Sequence, residues 1–155
     1  CLRDSFVGVN MRGANLEKGT LRNADLTVAI MNRVNMTDAD LSGADLSAAT
    51  LNGGIFTRAN MKSVKLRDAI LDASNLENAR LDSADFTGAS LKRCLFMGAS
   101  LQMACLRDAT LVSSDLQGAD LTLADLTGAD LRGSVFLEAN MHWTDFSGTE
   151  FDDGV

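Results

Sequence analysis

The chain has 155 residues, 46% of them apolar, no proline, and 21 Asp and Glu against 14 Lys and Arg, for a formal charge of −7 at pH 7. That length fits one domain spanning 1–155. No 18-residue apolar run is present, which excludes a membrane-spanning helix, and the acidic balance argues against direct binding to nucleic-acid phosphates.

Order begins at Phe6. From there to Phe151 every fifth residue is Leu, Phe or Met, with 18 Leu, 7 Phe and 5 Met in 30 positions. The residue two places earlier is always small: from Val9 to Thr149 it is 18 Ala, three Val, three Ser, two Gly, two Thr and Cys94. Asp115 to Arg132, DLQGADLTLADLTGADLR, shows the pattern in its purest form. An α-helix turns about 100° per residue, so a step of five would smear the large side chains around its circumference. A flat strand alternates sides at every residue, so an odd step would flip each one to the opposite face. The inward set instead advances by two and then three, as from Ala119 to Leu121 to Ala124. Two residues share a strand face, and the odd step demands a corner. A chain that turns a corner every five residues, always in the same sense, winds into an all-β solenoid.

The corner chemistry agrees. Ten of the 13 glycines, from Gly8 to Gly148, fall two places after the large residue. That is where the third residue of a type II turn needs positive φ. Proline is absent because every turn of the solenoid needs its backbone donors for its neighbours. Cys94 falls on an inward small position and Cys105 on an outward one, so no disulfide between them is expected. An odd cysteine count with an outward thiol points to a reducing compartment such as the cytoplasm. The chain starts at Cys1 and ends in register at Val155 with no visible cap. A fragment or processed form of a longer chain is expected.

The A(D/N)LXX pattern, as in Ala119-Asp120-Leu121, resembles that of the pentapeptide-repeat proteins, and the resemblance runs from about Phe6 to Phe151. It implies a right-handed quadrilateral β-helix with four pentapeptides per coil, hence about 7.5 coils of 20 residues. It also implies that residues twenty apart stack in columns. One outward column then reads Ser5, Asp25, Asp45, Lys65, Asp85, Cys105, Asp125, Asp145, and its carboxylates would make a negative wall. A short polar side chain here also suits hydrogen bonds to the local backbone. Acid is concentrated late: residues 1–78 carry nine acids and nine bases, whereas 79–155 carry twelve and five. Asp115, Asp120, Asp130 and Asp153 belong to that acidic end.

One corner column breaks the preference for small or polar residues: Asn23, Gly43, Ser63, Ser83, then Met103, Leu123, Trp143. With Leu95, Met97, Val135 and Leu137, also outward by register, it is expected to form an apolar contact patch. A protein partner, a flanking domain or a second copy through the C-terminal coils would cover it. No catalytic, cofactor or metal site is expected. The single histidine, His142, has no metal-ligand spacing to a cysteine, and the glycines follow the corner period rather than a phosphate-binding loop. The sequence therefore reads as a non-enzymatic scaffold or protein–protein interaction module. The alternative, implied by the resemblance, is a DNA mimic that occupies the DNA-binding groove of a type II topoisomerase such as gyrase, using the acidic end.

Overall fold

The structure, a computed structural model, describes residues 4–152. Its pairing is one residue wide and repeats without a break. The residue before each large apolar side chain pairs in parallel with its equivalent twenty places on, from Ser5 with Asp25 to Asp130 with Glu150. Each storey is therefore twenty residues deep. A turn closes every five residues, as where the Ala29 N–H donates to the Leu26 carbonyl at 3.1 Å, so each storey has four walls and four corners. We number the walls from the first storey by their large residues: Phe6 on the first, Met11 on the second, Leu16 on the third and Leu21 on the fourth.

Backbone hydrogen bonding repeats with the same five-residue period. The Leu26 N–H donates to the Asp45 carbonyl at 2.7 Å and the Val28 N–H to the Ser47 carbonyl at 3.0 Å, both one storey on. The Asp45 N–H returns the bond to the Ala24 carbonyl at 2.9 Å. With the turn bond, four of five N–H groups are paired. The fifth, on the first corner residue, is taken wherever an Asp or Asn stands suitably placed: most often two places before it, and at Asn52 and Lys92 by Asn32 and Asp72 one storey earlier. Asp25 Oδ1 accepts the Thr27 N–H at 3.2 Å, Asp85 Oδ1 that of Thr87 at 3.1 Å, and Asp120 Oδ1 that of Thr122 at 3.0 Å. An unpaired backbone donor is costly, and this is the physical reason for Asp or Asn in the motif.

Every corner from Gly8 to Gly148 has positive φ at its second turning residue, ten of them glycine and nineteen not. The strain of the left-handed region falls on side chains as large as Arg58, Met103 and Trp143. At corners with a storey beyond them, such as Arg58, Met103 and Leu123, hydrogen bonds to that storey hold the conformation: the Leu123 N–H donates to the His142 carbonyl at 2.9 Å.

Inside the stack, the large residues from Leu26 to Leu131 and the inward alanines between them are buried. Leu76 and Phe96 are fully enclosed, and Phe86 meets Phe96 edge to face with ring centroids 6.4 Å apart. Burial falls at both ends of the described stack. Phe6, Met11 and Leu16 are half-buried, and Met141 and Phe151 are exposed. One interior column carries polar atoms. Ser74 Oγ donates to the Leu51 carbonyl (2.9 Å), Cys94 Sγ to that of Leu71 (3.1 Å) and Ser114 Oγ to that of Leu91 (2.6 Å). Ser74 and Ser114 also accept the N–H groups of Gly54 and Cys94. These buried groups are thus satisfied. Burial pushes the Cys94 thiol up to about 12, and both Cys94 and Cys105 are free.

Candidate functional site

Met103, Leu123 and Trp143 stand on the corner after the fourth wall, on three successive storeys. All three point into solvent, with 57%, 55% and 86% of their surface exposed. Elsewhere along this corner the position holds Asn23, Gly43, Ser63 and Ser83, so the apolar stretch is confined to the later storeys. Leu95, Met97, Val135 and Leu137 are exposed as well, but they do not join it in one patch. Asp115 pairs between Leu95 and Val135 on the third wall. Met97, Gln117 and Leu137 share the corner between the third and fourth walls, so Gln117 interrupts that column. The whole fourth wall, with Ser100, Asp120 and Asn140 paired along it, then separates this corner from Trp143. The expected single patch is therefore one unbroken corner, Met103–Leu123–Trp143, and four satellites.

The acidic column stacks as its register requires, but it is not a bare negative wall. Lys65 Nζ lies 3.2 Å from Asp45, Arg67 Nε lies 2.5 Å from Asp85, and Arg107 Nε pairs with Asp125. Asp25 and Asp145 have no cation within 4.0 Å among the described residues. Burial raises the Asp85 carboxyl, but hydrogen bonds from Thr87 and Arg67 outweigh it and hold the group below the usual carboxylate range. Asp45 and Asp125 follow the same balance.

Of the other late acids, Asp130 is gripped by both guanidinium arms of Arg132 at 2.8 and 2.6 Å. Asp115 and Asp120 have no cation within 4.0 Å among the described residues. Asp115 accepts the Gln117 N–H at 2.9 Å. Asp120 is held low first by the Thr122 hydroxyl and then by the Gln102 amide. Asp153 lies outside the described residues.

The ion pairs were invisible to a count of charges. A signal was present: Arg22 and Asp40, Arg67 and Asp85, and Arg107 and Asp125 are each eighteen apart, and each is a pair. A second spacing, twenty, joins Arg58 to Asp38 through both guanidinium arms at 2.8 Å. Partly exposed pairs of this kind contribute little stability each. Their effect is to remove carboxylates from the field that a partner meets.

Among the described residues no three His, Cys, Asp or Glu side chains gather as a metal site would require. No helix among them is long and apolar enough to cross a membrane. Surface depressions follow the corners and are open, as where Met97, Gly98, Gln117 and Glu138 line a groove. His142 is exposed beside Trp143, and its backbone N–H donates to Asn140 Oδ1 at 3.2 Å.

Fold and surface together define a β-helical repeat protein whose chemistry is presented on walls and corners rather than in a cleft. Family models agree: pentapeptide repeats match residues 5–43 and 114–153 in eight copies, and a pentapeptide repeat region matches 29–104. The chain belongs to the pentapeptide-repeat family. Among solved structures it is similar to the pentapeptide repeat protein Rfr23 from the cyanobacterium Cyanothece 51142. The two share 27% identity over 67% of this chain and 84% of that one, with a TM-score of 0.65. A trypsin-treated variant of QnrB1, a plasmid-mediated fluoroquinolone resistance protein, matches at 19% identity and TM-score 0.62, covering 97% of this chain and 87% of that one. This second likeness is one of fold alone. No curated protein matched the chain.

Proposed function

We propose that the chain is one non-enzymatic protein–protein interaction domain, a right-handed four-sided β-helix of about 7.5 coils that presents the Met103–Leu123–Trp143 corner to a protein partner. The observation that carries this reading is the exposure of three large apolar side chains on consecutive storeys at a strained corner position. Elsewhere along this corner the residue is small or polar, and apolar patches on soluble folds mark contact surfaces. The stack is a rigid support, because each storey is hydrogen-bonded to the next along every wall. The test is a photo-crosslinker placed at position 123 and, separately, at position 113 on the opposite corner of the same storeys. A partner captured from 123 and lost in Trp143→Asp supports the reading. Equal capture from both positions contradicts it.

A second reading rests on the late acids. Asp115, Asp120 and Asp145 have no cation within 4.0 Å among the described residues, and such a surface would be steered toward a basic groove. QnrB1 is a fluoroquinolone resistance protein of the same fold, which motivates a type II topoisomerase as that partner. Against it, Asp45, Asp85, Asp125 and Asp130 are each paired with a base. Duplex DNA carries about one charge per 1.7 Å of axis, and no equally dense run extends along this stack. A gyrase supercoiling assay with added domain separates the two readings: inhibition, or protection from a quinolone, favours the mimic, and no effect removes it.

A further inference from the structure

Taken as a contact surface, the reading on which this proposal rests, the Met103–Leu123–Trp143 corner has a spacing and a charged frame that together specify an occupant. Successive storeys of a β-stack are about 4.8 Å apart, so the Met103, Leu123 and Trp143 columns offer footholds at roughly 0, 5 and 10 Å along the axis. A helix laid parallel to the axis presents its i, i+3 or i+4, and i+7 side chains at intervals of about 4.5–6 Å. An extended strand repeats its same-face side chains about every 6.6 Å and falls out of step by the third foothold.

Acids border the corner on both sides. Asp120 stands on the fourth wall, one storey with Leu123, and Asp125 and Asp145 stand on the first wall beyond the corner. Asp125 shares its charge with Arg107, whereas Asp120 and Asp145 have no cation within 4.0 Å among the described residues. A second copy of this corner laid against the first would set acid against acid. A cationic partner meets no such penalty, and charge complementarity would guide its approach.

We propose that the Met103–Leu123–Trp143 corner receives a basic amphipathic helix of a partner protein, parallel to the stack axis, its apolar seam on the three side chains and its Lys and Arg residues over Asp120 on one side and Asp125 and Asp145 on the other. Trp143 is the only tryptophan in the chain, so its emission reports directly on occupancy.

The experiment titrates the domain with three designed 18-residue helices lacking tryptophan: a leucine seam flanked by Lys and Arg, the same seam flanked by Glu, and a scrambled basic peptide. The expected result is a saturable blue shift with the basic-flanked helix alone. It is abolished by Leu123→Asp, weakened about threefold to tenfold by Asp120→Asn with Asp145→Asn, and diminished by salt. All three substituted residues are at least partly exposed, and unchanged circular dichroism shows that the variants fold. An equal shift with the Glu-flanked or scrambled peptide overturns the helix and charge requirement while leaving the corner a contact surface. A shift that depends only on the domain's own concentration has the same meaning and makes the occupant a second copy. No shift under any of these conditions overturns the proposal, and crosslinking from position 123 then decides separately whether the corner is a contact surface.

Discussion

The carboxylate of Asp68 lies over Gly88, its counterpart one storey on: a Cβ built on Gly88 would stand 2.6 Å from Asp68 Oδ1. The same relation joins Asn23 to Gly43, Asn78 to Gly98 and Asp108 to Gly128. Where a corner Asp is followed instead by a long side chain, as Asp38 by Arg58, the two form a salt bridge. Glycine at these corners thus answers to the storey before it as well as to its own positive φ.

Gly88→Ala and Gly118→Ala separate these two demands. Both place a Cβ at φ near 65° to 68°, and each should cost about 1 kcal/mol for that conformation. Only Gly88→Ala also forces the Asp68 side chain aside, which should add about 0.5–1 kcal/mol for the displaced rotamer. Urea denaturation of both variants, and of Gly88→Ala combined with Asp68→Ala, checks this. The double variant should recover the difference between the two single ones.

The interior leaves no room at the small positions. Ala79 and Leu81 are buried on consecutive inward sites. Ala79→Leu should destabilise by about 1–3 kcal/mol through overpacking. Leu81→Asp should be worse, because burying a carboxylate without a partner costs more than filling a tight space. Equilibrium unfolding that shows Ala79→Leu neutral would mean the axis is wider than the enclosed side chains indicate.

Much of this was legible in the sequence because the physics repeats. Leu76 and Phe96 are enclosed as the five-residue period requires, and the glycines at Gly8, Gly13 and Gly43 take the positive φ that their spacing implies. The nineteen other corners were harder to read. Residues such as Val28 and Met103 adopt the same conformation because hydrogen bonds between storeys impose it, and no local preference announces that. The pairing of Arg67 with Asp85 was hidden for a similar reason, since residues eighteen apart become neighbours only after the storeys are aligned. The apolar patch was overdrawn because Asp115 and Gln117, which interrupt it, come from the storey between its members. The Ser74–Cys94–Ser114 ladder looked like mere smallness in a column where smallness is the rule.

Cys94 and Cys105 should differ sharply as nucleophiles. Burial holds the Cys94 thiol protonated, pushed up to about 12, and only the thiolate reacts. Cys105 is partly exposed on the first wall. Iodoacetamide at pH 8 followed by peptide mapping should find Cys105 alkylated and Cys94 untouched until the protein unfolds. Cys94→Ser should fold with stability close to the parent, because its hydroxyl can keep the bond to the Leu71 carbonyl.

Acid should unfold the stack, and the carboxylates set the direction. Asp45, Asp82, Asp85 and Asp125 are raised by burial but lowered more by their hydrogen bonds and cations, leaving each below its ordinary value. A group lowered by folding contributes stability above its unfolded pKa, near 3.9, and loses that contribution as pH falls through the folded value. Thermal stability should therefore be level from pH 7 to about 5 and fall below about 4. Asp85→Asn should lower stability at neutral pH and make the acid dependence shallower. A midpoint that rises as pH falls from 5 to 3 would reverse the sign and contradict it.

Walls, columns and the proposed contact corner all depend on a storey of twenty residues, and nuclear Overhauser contacts in solution measure it most directly. Cross-peaks are expected between Cys105 and Asp125, Ser100 and Asp120, and Leu95 and Asp115, all paired here, with none linking outward residues fifteen or twenty-five apart. Contacts at any other regular separation would put Met103, Leu123 and Trp143 on different faces and contradict the stacking on which their common role rests.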